Sequence, residues 1–125
     1  MIVGTGIDMI EIARIEETIR LYGERFLHRI YLPAEIQYCL RKKNSGESFA
    51  ARFAAKEAAA KALGTGIQSG VGWREIEVVR EPSGRPSLQL HGRAGSVARR
   101  IGANRFLVSL THSRSHAIAQ VLLER

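Results

Sequence analysis

Disulfide chemistry is missing from this sequence. Cys39 is its single cysteine, so no intramolecular bridge can form, and with no Cys or His at ligand spacing it offers neither a zinc site nor an activated thiol. A reducing, cytoplasmic compartment is expected. Long apolar runs are missing too: none approaches the ~18 residues that cross a bilayer. Met1 leads into "IVGTGID" instead of a basic, then apolar, then small-residue leader. The expectation is a soluble protein with no membrane partner. Neither Gly-x-x-x-x-Gly-Lys-Ser/Thr nor Gly-x-Gly-x-x-Gly occurs, which removes the common nucleotide-binding loops. Aromatics are sparse, with four Phe and three Tyr and no ribonucleoprotein-type strand motif, leaving little to stack on bases. Acids are in deficit. Twelve Asp and Glu against nineteen Lys and Arg give a formal net charge of +7, which attracts polyanions or acidic protein surfaces without naming one.

What is present suffices for one core. A chain of 125 residues buries about two thirds of its unfolded surface on folding, and no linker or low-complexity tail divides it. Residues 1–125 are read as a single α+β domain. "MIVGTGIDMIEI" predicts a strand whose Gly4 and Gly6 allow close backbone approach. From Glu11, Ile12, Ile15, Ile19 and Tyr22 recur at helical spacing, with Gly23 past the end. "ERFLHRIYL" predicts a shorter helix, and Pro33 opens another carrying Ile36, Cys39 and Leu40. "NSGES" reads as a loop, with Ser48 capping an Ala-rich helix that Gly64 ends in a left-handed conformation. After the glycine-rich connection "GTGIQSGVG", "WREIEVVRE" and "SLQLHG" form a hairpin around "PSGRP". A basic helix, "RAGSVARRIG", precedes two strands, "RFLVSLTHS" and "HAIAQVLLE", joined by a turn around Arg114.

Few residues in this pattern invite chemistry. Asp8 lies between Ile7 and Met9 on a half-buried strand, where a carboxylate needs a cation or donors; the alternative is that it caps the following helix. In "FAAKEAAAKALG", Glu57 stands four residues before Lys61. That spacing suits a solvent-facing ion pair worth roughly 0.3–0.5 kcal/mol, or two side chains aimed into a site. Two carboxylates, Asp8 and Glu57, with ligand oxygens and water would suit Mg²⁺, and Lys61 would then reach a nearby phosphate. His112 and Ser113, at a strand end, suit phosphate contact or proton transfer, or a plain surface turn.

Several stretches, in order and over nearly the whole chain, resemble one family: the holo-acyl-carrier-protein synthases, the short-chain 4'-phosphopantetheinyl transferases. "GTGIDMIEIARIE" is similar to the family's opening, with Asp8 and Arg14 at its Gly-x-Asp and Arg positions. "ARFAAKEAAAKALGTG" is similar to its central signature, "SGRP" to its Asn-Gly-Lys/Arg-Pro turn, and "VSLTHSRSHAIAQV" to its closing strand pair. Ser83 stands where many relatives carry Asn. The resemblance implies Mg²⁺-dependent transfer of phosphopantetheine from coenzyme A to a serine of apo acyl carrier protein, releasing adenosine 3',5'-bisphosphate, in fatty acid biosynthesis. It implies that Asp8 and Glu57 hold the metal on the pyrophosphate and that Lys61 neutralises a phosphate oxygen. Arg52, Gly64, Arg85, Pro86, His112 and Ser113, with Lys61, match positions lining the coenzyme A site. Arg14, Arg25 and Phe26 match docking positions for the acidic carrier, with Arg29 as helper. Glu57, directly or through water, is favoured as the base over a metal-bound water or His112. The family's homotrimers, with sites between subunits, imply that His112 and Pro86 serve a neighbour's metal. Two rivals follow from the residues alone: a small basic nucleic-acid-binding module, resting on the charge, and a Mg²⁺ phosphohydrolase using the same carboxylates.

Overall fold

The computed structural model describes residues 1–67 and 70–125. Ten residues at the start form strand β1, Ile2–Glu11, followed by α1 (Ile12–Tyr22), α2 (Glu24–Ile30), α3 (Pro33–Leu40) and the long helix α4 (Ser45–Leu63). The glycine-rich connection read over 64–72 includes Gln68 and Ser69, which lie outside the described residues. Then come a 3-10 turn (Trp73–Glu75), β2 (Ile76–Arg80), β3 (Pro86–Leu90), α5 (Gly92–Arg100), β4 (Arg105–His112) and β5 (His116–Glu124). β5 is the centre of an antiparallel sheet ordered β1-β5-β4, while β2 and β3 form a separate hairpin. This is the expected α+β architecture. No described helix is long and apolar enough to cross a membrane.

Alternation along β1 decides how the sheet meets α4. Gly4, Gly6 and Asp8 point to the helix side. A Cβ at Gly4 would collide with the Ala62 carbonyl oxygen, and one at Gly6 with that of Ala58. The glycines therefore let two backbones touch, and the alanines of α4, buried at 54, 55, 58, 59, 60 and 62, keep its surface low enough for it. Gly64 ends the helix at φ 82°, where a side chain would be strained. Among the described residues nothing covers the opposite face of β1 at Ile7 and Met9. Ile7 pairs across with Gln120, and Met9 with Ile118; both Ile7 and Met9 are 61% exposed.

A second core joins α1, α2, α3 and the first half of α4 around Tyr31 and Phe49, with the Tyr31 hydroxyl donating to the Phe49 carbonyl at 2.7 Å. Here lies a buried ion pair. Lys56 Nζ donates to Glu35 Oε1 at 2.8 Å and to the carbonyls of Trp73 and Ile76, while Glu35 also accepts the Leu32 and Val78 amides. Desolvation nevertheless holds the Lys56 ammonium below its ordinary pKa.

Two boundaries differ from the sequence reading. α4 starts at Ser45, so Ser48 sits inside it and not at its cap. The Ser48 amide bonds the Asn44 carbonyl at 3.3 Å, and Gly46 packs so closely on Glu16 of α1 that a Cβ would overlap that side chain; docking on α1 extends the helix through the loop-like letters. In "WRE", Glu75 folds back onto the Gly72 amide at 3.1 Å and receives the Arg93 and Ala94 amides of α5, which turns the chain before the strand begins. Tyr22 is exposed and so does not continue the buried stripe of α1.

Gly6→Ala should destabilise the protein by about 1–3 kcal/mol, the usual cost of overpacking, read as a lower urea midpoint. An unchanged midpoint would mean that β1 and α4 separate at little cost.

Candidate active site

The strand register carries Asp8 into the line set by Gly4 and Gly6, so it emerges against α4 one turn from where the backbones touch. Lys61 Nζ donates to Asp8 Oδ1 at 3.0 Å and to the Ile7 carbonyl at 3.0 Å. Two alternatives from the sequence are thereby settled. Asp8 does not cap α1, whose N-cap position is Glu11 and has no side-chain cap bond. Lys61 pairs across to the strand and not with Glu57. Glu57 and Asp8 line one hollow with Arg14, Thr18, Phe26 and Phe53. Burial, then the Asp8 charge, raises the Glu57 pKa, with Lys61 opposing. Among the described residues no cluster of three or more His, Cys, Asp or Glu is placed to hold a metal. Two carboxylates with open space and no softer donor fit a hard cation that keeps water and phosphate oxygens.

Phe26 is shared with an adjoining hollow formed by Thr18, Tyr22, Arg25 and Arg29. The residues matched to carrier docking thus form one surface running out from the carboxylates. A third hollow lies on the other flank of α4, because Arg52 and Glu57 are five residues apart, about 140° around the helix. It brings together Arg52, Pro86 and His112 with Tyr38, Lys42 and Arg80. His112 Nε2 lies 3.5 Å from Glu47 Oε1. Ser113 is occupied by the turn, its hydroxyl accepting the Ser115 and His116 amides at 3.2 and 3.1 Å. Arg85 is exposed in the β2–β3 turn, where its amide meets the Ser83 hydroxyl at 3.4 Å. Gly64 and Lys61 remain at the far end of α4 from Arg52. Tyr38, Lys42, Arg80 and Glu47 were not singled out from sequence; the "RKK" run after Tyr38 was the one signal available. Cys39 is wholly buried, and burial pushes its thiol up to about 11, which excludes a nucleophilic role.

The family model for the 4'-phosphopantetheinyl transferase superfamily matches residues 4–121. The chain belongs to this superfamily. A holo-[acyl-carrier-protein] synthase of Koribacter versatilis is 55% identical over 124 residues, covering 99% of each chain. The crystal structure of the Neisseria meningitidis holo-[acyl-carrier-protein] synthase superposes with a TM-score of 0.91 at 31% identity, covering 100% of both chains. The Helicobacter pylori holo-[acyl-carrier-protein] synthase in complex with coenzyme A gives 0.85 at 32% identity, covering 96% of this chain and 99% of that one. The fold of this transferase family is therefore that of the present chain.

The raised Glu57 pKa has a stability consequence. Its contribution is present below the unfolded value of 4.5 and is lost as pH rises through the higher folded value. Glu57→Gln keeps the site neutral, so in the presence of a chelator the variant should be more stable than wild type at about pH 7.5, with the gap closing toward about pH 4. Urea midpoints at both pH values check this; a pH-independent gap would show that neither burial nor the Asp8 charge raises the Glu57 carboxyl in the folded protein.

Proposed function

We propose that this chain is a holo-acyl-carrier-protein synthase, transferring 4'-phosphopantetheine from coenzyme A to a serine of apo acyl carrier protein for fatty acid biosynthesis. The observation that carries the reading is that Asp8 of β1 and Glu57 of α4 line one hollow, with Lys61 bonded to Asp8 beside it. The names of the similar proteins and the coenzyme A bound by one of them support it. Residues 1–125 act as one catalytic domain, in a cytoplasmic setting that suits the reduced, buried Cys39.

The chemistry asks for alignment and charge neutralisation more than for covalent help. The serine oxygen attacks the phosphorus bearing the pantetheine arm, and the bond to the oxygen on the adenosine side breaks, releasing adenosine 3',5'-bisphosphate. Glu57 takes the serine proton directly or through water. Asp8 and Glu57 would hold Mg²⁺, which when bound supplies charge neutralisation on the pyrophosphate. Lys61, half exposed beside Asp8, neutralises charge on a phosphate oxygen. Arg14, Arg25, Phe26 and Arg29 receive the acidic carrier, steering its approach. Arg52, Pro86 and His112 hold the nucleotide end of coenzyme A, with Gly64, Arg85 and Ser113 contributing through the turns in which they sit.

The Arg52 and Glu57 pockets lie on opposite flanks of one helix, and we read a single coenzyme A as spanning pockets from neighbouring copies, as in the family's trimers. The uncovered face at Ile7 and Met9 supplies an apolar surface for that association, and we read the working form as a homotrimer. Ile7→Asp should convert a three-chain mass to a one-chain mass in light scattering and abolish transfer. A trimeric, active variant would remove this face from the interface.

The assignment is tested by incubating the chain with Mg²⁺, coenzyme A and an apo carrier. The carrier should gain one phosphopantetheine mass, and a chelator should prevent it. Asp8→Ala and Glu57→Ala should each lose about a hundredfold or more in rate while remaining folded. No mass gain on a competent carrier would overturn the function, and phosphate release without a carrier would indicate the hydrolase instead.

A further inference from the structure

Trp73, the single tryptophan of the chain, stands in the 3-10 turn that leads into β2 and lines none of the three hollows above. Its ring nevertheless stacks against the wall of one of them. The Trp73 and Phe53 ring centroids are 4.7 Å apart with their planes inclined by 30°, and Phe53 faces Phe26 at 6.5 Å and 27°. Such separations are those at which aromatic pairs attract beyond the area they bury. Phe53 lines the carboxylate hollow beside Glu57, while Phe26 is common to that hollow and to the one that holds Arg25 and Arg29. Three rings, from the 3-10 turn, α4 and α2, thus form one file, and its inner two members stand between the carboxylates and the arginines of α2. All three rings are half-buried, so the file keeps an apolar edge open to whatever enters the hollows. The backbone beneath Trp73 is tied down on both sides. Lys56 Nζ donates to the Trp73 carbonyl at 3.1 Å while bound to Glu35 at 2.8 Å, and Glu75 accepts the Gly72, Arg93 and Ala94 amides. The turn also packs against α2.

We infer, building on the proposed function, that Trp73 is a positioning residue for the carrier protein: its indole holds the Phe53 ring, and through it Phe26, as a fixed apolar seat between the carboxylates and the arginines of α2. Trp73 touches neither coenzyme A nor the reacting atoms. A ring at the mouth of an open hollow is free to turn unless something behind it forbids this, and the anchored indole does so. Fixing the seat beforehand lowers the ordering cost of docking, so the effect of Trp73 falls on carrier affinity and not on the chemical step. The nucleotide end of coenzyme A is assigned to the other flank of α4, which leaves its KM insensitive to the indole.

The test is calorimetric binding of an apo acyl carrier protein to the full chain, with kcat and the KM values for carrier and coenzyme A alongside. Trp73→Leu should weaken carrier binding and raise the carrier KM by about tenfold, with kcat and the coenzyme A KM little changed. Trp73→Phe, which keeps a ring against Phe53, should restore both carrier values. Phe53→Leu should lose at least as much as Trp73→Leu, and the double variant no more than Phe53→Leu alone, because the one residue acts through the other. Should Trp73→Leu fail to fold, the emission of the single tryptophan decides: it should shift as carrier saturates the wild type, and Phe53→Leu should raise the carrier concentration that the shift requires. An unchanged carrier KM in Trp73→Leu, equal rises for both substrates, additive losses in the double variant, or emission indifferent to bound carrier would overturn the inference. Trp73-dependent carrier binding by a chain that transfers nothing would sink the proposed function and leave this inference intact; transfer with a carrier KM indifferent to Trp73 would do the reverse.

Discussion

Backbone lies directly on backbone where β1 crosses α4. Gly4 meets the Ala62 carbonyl and Gly6 the Ala58 carbonyl, at separations no side chain allows. The stabilisation per alanine is small, since each offers one methyl to bury, so the contact owes its strength to many close dispersion pairs across the seam. Its larger effect is geometric. Because strand side chains alternate with period two, the residue after Gly4 and Gly6 on that face is Asp8, delivered to the helix turn that carries Glu57 and Lys61. A wider seam would hold the carboxylates apart, and the 3.0 Å contact between Lys61 and Asp8 would be lost with it.

The two buried cations of α4 show how structure and ligand recognition are told apart. Lys56 has three donors, and all three are used: one carboxylate and two carbonyls receive them. Such a group joins α3, α4 and β2 and has nothing left to offer. Among the described residues, Arg52, one turn earlier, has a buried donor with no acceptor and makes no ion pair. Its charge is moderated by the Tyr38 ring, which softens desolvation without consuming the guanidinium's hydrogen bonds. Full satisfaction marks the first as architecture, while the second keeps a buried donor unpaired among the described residues.

Much of the fold could be read locally. β5 runs over the nine residues read as the closing strand, Gly64 ends α4 as its position past Leu63 suggests, and Gly4 and Gly6 make the close approach their place in a strand implies. These features depend on period and backbone freedom, which neighbouring letters carry. The start of α4 was not legible, because Ser45–Gly46 become helical through packing on Glu16 of α1. Nor were the burial of Arg52 and Lys56, since the partners that decide it, Tyr38 and Glu35, come from another helix. Asp8, Glu57 and Lys61 could be suspected singly from their settings; that they meet depended on motif order, and the structure supplies the meeting.

One helix thus carries two different surfaces. On the flank of Phe53, Glu57 and Lys61 it presents carboxylates and an ammonium next to β1; on the flank of Ser48 and Arg52 it presents a buried cation next to β4 and the hairpin. A helix with side chains is about 10 Å across, and its alanine core is packed solid against the sheet, so a ligand reaching both flanks of one copy would have to travel around an end. A second copy removes that detour. The sheet face left bare by α4 belongs to the same strand that delivers Asp8, so under the proposed function a contact through Ile7 and Met9 would bring a neighbour's surface to the edge of the carboxylate pocket. In this reading the exposed apolar strand and the split between pockets have one cause: α4 buries only one side of the sheet, and the other side is left to another chain.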